Sequence, residues 1–328
     1  MAKTRVSDRV YKYATAALGG VSIFLLGVIV YVLWTYSYPS IAVNGISFFT
    51  TSIWNPNLNG VPIIVNGFKT LSGSSYGVIV FVYGTFVSSA LALLIGVPAG
   101  LGTAIFLTQY SPKKISTVVS FLIEMLAGIP SVILGFWGVL VLGPALISVI
   151  EPFMATYLGF IPGFGGPVYN AGLIASGLIL GLMIVPIIAS ISRDTIARTP
   201  IELKEAGKSL GMTNWEITRK IILPLAKTGI FGATILGLGR ALGETMAVAM
   251  VSGGALYLPT NIYSSINTMA AFMASTLDGA FTDPTNMNVY ALVEMAGLLL
   301  IITMIVNVVA RAILRQGFFT SAESVVQV

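Results

Sequence analysis

Arg240 and Glu244 stand four residues apart in an otherwise apolar stretch that runs from Leu236 to Val248. A charge at the centre of a bilayer costs at least roughly 2.5–3.5 kcal/mol on insertion scales, so a charged residue there needs a partner or a task. Residues four apart share a helix face, and this acid and base can pair. Two roles stay open. The pair can close on itself and lock its helix to the neighbours. Alternatively, Arg240 lines a pathway, because planar guanidinium donors match two oxygens of an oxyanion at once. Glu244 would then keep the site weak enough to release what it binds. Glu124 and Glu294 are further acids in apolar surroundings, the first close to Ala127-Gly128-Ile129-Pro130.

Other chemistry has little to work with. The 328 residues include no cysteine and no histidine, which removes thiolate ligands, disulfides and the commonest neutral-pH proton shuttle. We expect no metal site, no catalytic site of its own and hence no enzyme. The phosphate-cradling pattern Gly-x-x-x-x-Gly-Lys-Ser/Thr does not occur, so any nucleotide must be hydrolysed by another chain.

The elements that must position these charges are membrane helices. Hydrophobic residues make up 56% of the chain and charged residues 9%, against roughly 25% charged in a globular domain. Apolar runs long enough for a ~30 Å hydrocarbon layer fall at 14–36, 78–107, 118–142, 171–191, 229–251 and 289–313. Pro98 and Pro130 predict a kink or break in the second and third. The net charge of +5 is not a nucleic-acid footprint, because it is sorted by loop. Lys3, Arg5, Arg9 and Lys12 precede the first run, Lys113 and Lys114 follow the second, a cluster from Arg193 to Lys227 follows the fourth, and Arg311 and Arg315 close the sixth. The opposite loops hold only Lys69. This bias places both termini in the cytoplasm, and six spans satisfy the parity. The first run is too long for a signal-peptide core and lacks a small-residue cleavage site, so it reads as an uncleaved anchor.

The outer loops, 38–77, 143–170 and 252–288, are rich in turn formers and suggest caps with short interfacial helices. Gly96 with Gly100, Gly177 with Gly181 and Gly239 with Gly243 predict close helix approach.

The loop after the fourth span is unusually structured. Thr199-Pro200-Ile201-Glu202 and Thr213-Asn214-Trp215-Glu216 both have capping-box spacing. Gly211 between them can close the first helix in a left-handed conformation, and Pro224 marks a break before the next span. Leu210, Met212 and Trp215 form an apolar knob rimmed by Lys208, Arg219 and Lys220. That face suits docking of a partner protein or an amphipathic hairpin resting on lipid, since both use an apolar face with basic flanks.

The pattern Glu205, Ala206, Gly211, Ile221, Leu223, Pro224 resembles the signature loop of ABC-importer permeases. Gly207 departs from it, standing where alanine is usual, and predicts a softened helix at roughly 1 kcal/mol. Four further stretches resemble the C-type permeases of phosphate-specific (Pst) ABC importers. They are Phe48-Phe49-Thr50-Thr51-Ser52-Ile53-Trp54-Asn55-Pro56, Tyr83-Gly84-Thr85 through Gln109, Glu124 to Ser131, and Gly239 to Val248. The resemblance covers nearly the whole chain.

It implies an all-α integral membrane protein of type I ABC-importer permease architecture in a prokaryotic inner or plasma membrane. An anchor helix and first outer loop would fill 1–77, and a core 78–315 would carry the coupling loop at 192–228. A tail would follow at 316–328. The resemblance further implies inward phosphate transport, with Arg240, Glu244 and Glu124 in the pathway, and a coupling surface at Glu205, Ala206, Gly207, Gly211, Trp215, Ile221, Leu223 and Pro224. Implied partners are a second homologous permease, a cytoplasmic ATPase dimer that binds the ATP and Mg, an extracytoplasmic phosphate-binding protein and membrane lipid, with no nucleic acid. Competing readings are a permease for another oxyanion, sulfate or molybdate, and a self-contained secondary transporter, which would need inverted repeats.

Overall fold

The computed structural model describes residues 6–323, with side chains for 10–313. Lys3, Arg5 and tail residues 324–328 lie outside the described residues, as do the side chains of Arg9 and Arg315. Six helical runs are long and apolar enough to cross a membrane: Val10–Asn44, Ile79–Tyr110, Ser131–Leu158, Leu173–Ala197, Asn214–Leu242 and Met287–Ile313.

The first belongs to α1 (Val6–Asn44). It is followed by α2 (Ser47–Thr50), β1 (Trp54–Asn55), β2 (Pro62–Val65), β3 (Phe68–Leu71) and β4 (Ser75–Tyr76). β1 pairs antiparallel with β4, and β2 with β3. The β2–β3 turn places Asn66 and Gly67 at φ 50° and 87°, the left-handed pair of a tight hairpin. This loop therefore holds small strands as well as the expected short helix. The second span is α3 (Ile79–Ile105) with a π turn at Phe106–Tyr110, and Pro98 does not interrupt it.

The third span departs from the expected 118–142. α4 (Lys113–Ala127) ends at Gly128, and a separate run starts at Ser131. That run comprises α5 (Ser131–Trp137), α6 (Gly143–Ala145) and α7 (Glu151–Leu158), joined by π turns at Gly138–Leu142 and Leu146–Ile150. Much of the expected outer loop 143–170 is thus helix. α8 (Leu173–Ala197) follows, then α9 (Ile201–Ser209) and α10 (Asn214–Ile217). A π turn at Thr218–Ile222 leads into α11 (Leu223–Leu242), and the chain closes with α12 (Met246–Val251), α13 (Met269–Ala280) and α14 (Met287–Glu323). The fifth span therefore ends at Leu242, short of the expected Val251. α14 runs through residue 315 without interruption.

One physical cause explains several of these differences. Pro144, Pro152 and Pro224 each fall two residues after the end of a π turn. Proline lacks an N–H and crowds the carbonyl one turn back, and the wider π turn removes the regular hydrogen bond at that point. The prolines are absorbed without breaking the helix, so Pro224 does not separate the coupling segment from its span.

α3 and α8 pack closely at the centre. A Cβ on Gly96 or Gly100 would press into Ile184 or Ile188, and one on Gly181 would stand 3.4 Å from the Ala92 carbonyl oxygen. Two of the three glycine pairs thus permit close approach, as expected. Gly239 has nothing within 4 Å of its Cβ position. α1 stands apart from this core, with its apolar window unburied within the chain, and packs along α14. There Ser40 Oγ donates to Glu294 Oε2 at 2.5 Å, and Asn44 Nδ2 donates to Ser40 Oγ at 2.9 Å. Glu294 is buried, and its Oε1 has no hydrogen-bond partner among the described residues.

Candidate functional site

Arg240 lies in the last turn of α11, exposed, and makes no hydrogen bond or ion pair among the described residues. Glu244 does not answer it. The helix stops at Leu242, and Gly243 leaves helical geometry at φ −98°, ψ 2°. Four-residue spacing no longer means a shared face. Glu244 turns instead toward α12, where its Oε1 accepts the Ala247 N–H at 3.4 Å. A carboxylate at a helix start satisfies orphan donors and suits the positive end of the helix dipole. The closed pair, one of the two roles open on sequence grounds, is therefore absent among the described residues, and the guanidinium is left open.

The break at 243–245 has a counterpart. α5 packs on α12, with a Cβ on Gly135 coming 3.1 Å from Ala247 Cα and 2.8 Å from Met250 Sδ, and one on Gly138 coming 2.6 Å from Val251 Cγ1. The register rises in parallel on both helices, and each begins directly after a non-helical stretch, Gly128–Pro130 before α5 and Gly243–Thr245 before α12. Non-helical backbone at membrane depth is tolerated where it lines a cavity or is buried in protein.

Glu124 is on α4 rather than inside a spanning helix. Its Oε1 meets Arg193 Nη2 at 3.1 Å. Arg193 also donates from Nε and Nη2 to Asp194 Oδ1 at 3.1 and 3.0 Å. Ser116, Thr117, Ser120 and Phe121 join this pair around an open groove of about 410 Å³. The sequence places Arg193 in a loop, but α8 continues six residues past the expected end at Ile191. The signal for this is Ile184, Ile188, Ser192 and Ile196, a buried row at helical spacing.

The segment 199–224 is a helical hairpin. Of the two capping boxes, the second forms completely. Thr213 Oγ1 accepts the Glu216 N–H at 3.2 Å, and Glu216 Oε2 accepts the Thr213 N–H at 2.9 Å. The first does not form. Thr199 still donates its N–H to Ile196 O at the end of α8, and Pro200 is extended at ψ 135°, so α9 begins at Ile201 without a side-chain cap.

Gly211 closes α9 at φ +77°. Its N–H donates to Lys208 O at 2.9 Å and that of Met212 to Gly207 O at 3.1 Å, the two bonds of a Schellman motif. Met212 turns inward with Ile221 onto Ile196, Ile217, Ile222 and Ala226, so it leaves the expected apolar knob. Leu210 and Trp215 remain exposed, at 81% and 54%. Glu205, Ala206 and Pro224 are exposed and Leu223 half-buried. Gly207 is buried, and a Cβ there would stand 3.0 Å from Ile221 Cδ1 and 3.1 Å from Ile217 Cγ1. The glycine lets α9 lie close against α10 and the π turn. Burial, followed by the neighbouring charge of Lys208, lowers the pKa of Lys204 on this hairpin.

Residues 96–316 match the family of binding-protein-dependent transport system inner membrane components. The phosphate transport system permease protein PstC 1 of Mycobacterium tuberculosis is 42% identical over 283 residues, 84% of either chain. PstC of Mesorhizobium japonicum is 36% identical over 94% of this chain and 90% of that one. PstC of Haemophilus influenzae is 36% identical over 93% and 92%. An inward-facing MetNI methionine ABC transporter is similar at 24% identity and a TM-score of 0.49, over 73% of this chain and 94% of that one.

Proposed function

This chain belongs to the family of binding-protein-dependent transport system inner membrane components, and we propose that it conducts inorganic phosphate into the cytoplasm as one permease subunit of an ATP-driven importer. The observation that carries the reading is the open guanidinium of Arg240 at the break that follows α11, with a second break just ahead of α5, the helix that packs on α12. The sequence stretches that resemble phosphate permeases, Glu124–Ser131 and Gly239–Val248, contain those two breaks.

In this reading Arg240 offers its forked donors to the anion as it passes. Glu244 sits one break away and lowers the net attraction, so that phosphate is held briefly and released. Glu124 tempers Arg193 in the same way at an open groove nearer the coupling hairpin. The chain supplies positioning and charge. ATP and Mg belong to a partner ATPase dimer that seats on the hairpin, and a second homologous permease completes the pore. An extracytoplasmic phosphate-binding protein delivers the anion. The basic residues around α9 and α10 support a cytoplasmic position for that face and, with an even number of spans, for both termini.

Uptake of labelled phosphate tests the reading. Arg240→Gln abolishes uptake while the subunit stays in the membrane with its partners. Uptake at the parent's rate in that variant overturns the pathway role.

A further inference from the structure

We propose that the β2–β3 hairpin is a membrane-surface foot, resting its exposed apolar face in the headgroup layer of an anionic bilayer at the Asn44 end of α1.

Depth is set by α1. Trp34, Tyr36 and Tyr38 are exposed near the end of a spanning helix, and Trp and Tyr concentrate where the hydrocarbon meets the headgroups. The hairpin is fastened at that level. Asn66 Nδ2, in its turn, donates to the Ala42 carbonyl at 2.6 Å, and the Phe68 ring stands edge-on to Tyr38 with centroids 5.9 Å apart. Ile64 is two residues from Asn66, which is at most about 7 Å of strand. It therefore cannot rise far above the belt.

The surface chemistry fits lipid. Ile64 is 72% exposed although it stands beside a hydrophobic span, and Pro62, two residues away on the same face of the strand, is exposed too. Lys69 pairs directly opposite Ile64 in the register, so an ammonium flanks the apolar contact. Residues 46–76 contain no Asp or Glu, and Lys69 is their only charged residue. An apolar face with a lone cation, continuous with an aromatic belt, suits acyl chains beneath anionic phosphates. The same face could serve a soluble protein, and the experiment below separates the two.

The chain has no cysteine, so single nitroxide labels are clean. Ile64→Cys and, as a second site on the same face, Pro62→Cys are labelled in the assembled transporter. The transporter is reconstituted into phosphatidylethanolamine–phosphatidylglycerol vesicles, with Thr35→Cys in α1 as the lipid reference. At 62 and 64 we expect collisions with oxygen to exceed collisions with a water-soluble nickel chelate, as at 35. Lys69→Gln, or phosphatidylcholine in place of phosphatidylglycerol, lowers the ratio of inserted to aqueous label roughly fivefold. Nickel collisions exceeding oxygen collisions at both sites overturn the proposal. So does a label that is aqueous alone and becomes shielded only when the soluble binding protein is added.

Discussion

Arg193 on α8 reaches Glu124 on α4, Nη2 to Oε1 at 3.1 Å, one helical turn before α8 gives way to the coupling hairpin. The pair ties the segment that opens the third crossing to the end of the most buried helix. With side chains 22% and 55% exposed, it is partly screened. A double-mutant cycle of Glu124→Gln and Arg193→Gln, read by thermal unfolding in detergent, should return a coupling of about 0.2–1 kcal/mol. Arg193→Gln should cost more than Glu124→Gln, because it also strands Asp194. A coupling of zero leaves no clasp between the two helices.

Gly207 opposes two effects of similar size. Alanine gains about 1 kcal/mol of helix propensity but crowds the terminal methyl group of Ile221 at 3.0 Å and the Cγ1 methylene of Ile217 at 3.1 Å. The first is a flexible side-chain end that can give. Gly207→Ala should stay within about 1 kcal/mol of the parent and remain coupled. Gly207→Leu should lift α9 off the π turn and lower phosphate moved per ATP hydrolysed. A coupled Gly207→Leu transporter shows that the close packing has no part in transmission.

Glu244 has two separable duties. Glutamine keeps an oxygen for the Ala247 N–H and removes the charge. Glu244→Gln should assemble at the parent's level yet lose at least about tenfold in uptake, since a shift of 1.4 kcal/mol in a site's affinity is already tenfold. If its uptake matches the parent's, Glu244 serves only as the cap of α12.

Leu210 and Trp215 are the anchors left on the hairpin after Met212 turns inward. Truncating a docking anchor costs about 2 kcal/mol or more, roughly thirtyfold in affinity. Leu210→Asp and Trp215→Asp should each release the ATPase in copurification while the permease remains in the membrane at the normal level. Ile217→Asp, at a position 3% exposed, should lower the membrane level itself. Full ATPase recovery with both surface variants places the interface elsewhere.

The six spans and the hairpin were legible because hydrophobic length and capping chemistry are local properties. Thr213, Glu216 and Gly211 act within one turn of themselves, and all three do what their spacing implies. The spans' ends were not legible, because they depend on backbone choices that no residue type announces. Pro224 reads as a break and Pro144 and Pro152 as turn formers of an outer loop, yet each is absorbed by a preceding π turn. Gly243 reads as a packing residue, yet it ends a helix, and the Arg240–Glu244 face depended on that helix continuing. Thr199 and Thr213 have the same spacing to a glutamate. Only the second caps, since Thr199 is still engaged with Ile196. Gly207 reads as a weak point of α9, and that it also permits close packing on Ile217 and Ile221 depends on tertiary contacts that propensity does not carry. The Arg193–Glu124 contact joins positions 69 residues apart, which periodicity within one helix cannot reveal.

The bond from Ser40 to Glu294 joins residues 254 apart in sequence, and it sets a schedule for biosynthesis. α1 is made before α14 and docks on it. At about 5–20 residues per second of synthesis, α1 waits roughly 13–50 s for α14. It can wait, because a membrane helix satisfies its own backbone in lipid. Until α14 is made, however, Ser40 and Asn44 are without their acid. A ribosome stalled before residue 287 would therefore carry an α1 that remains open to crosslinking by lipid, and release of the stall should close it.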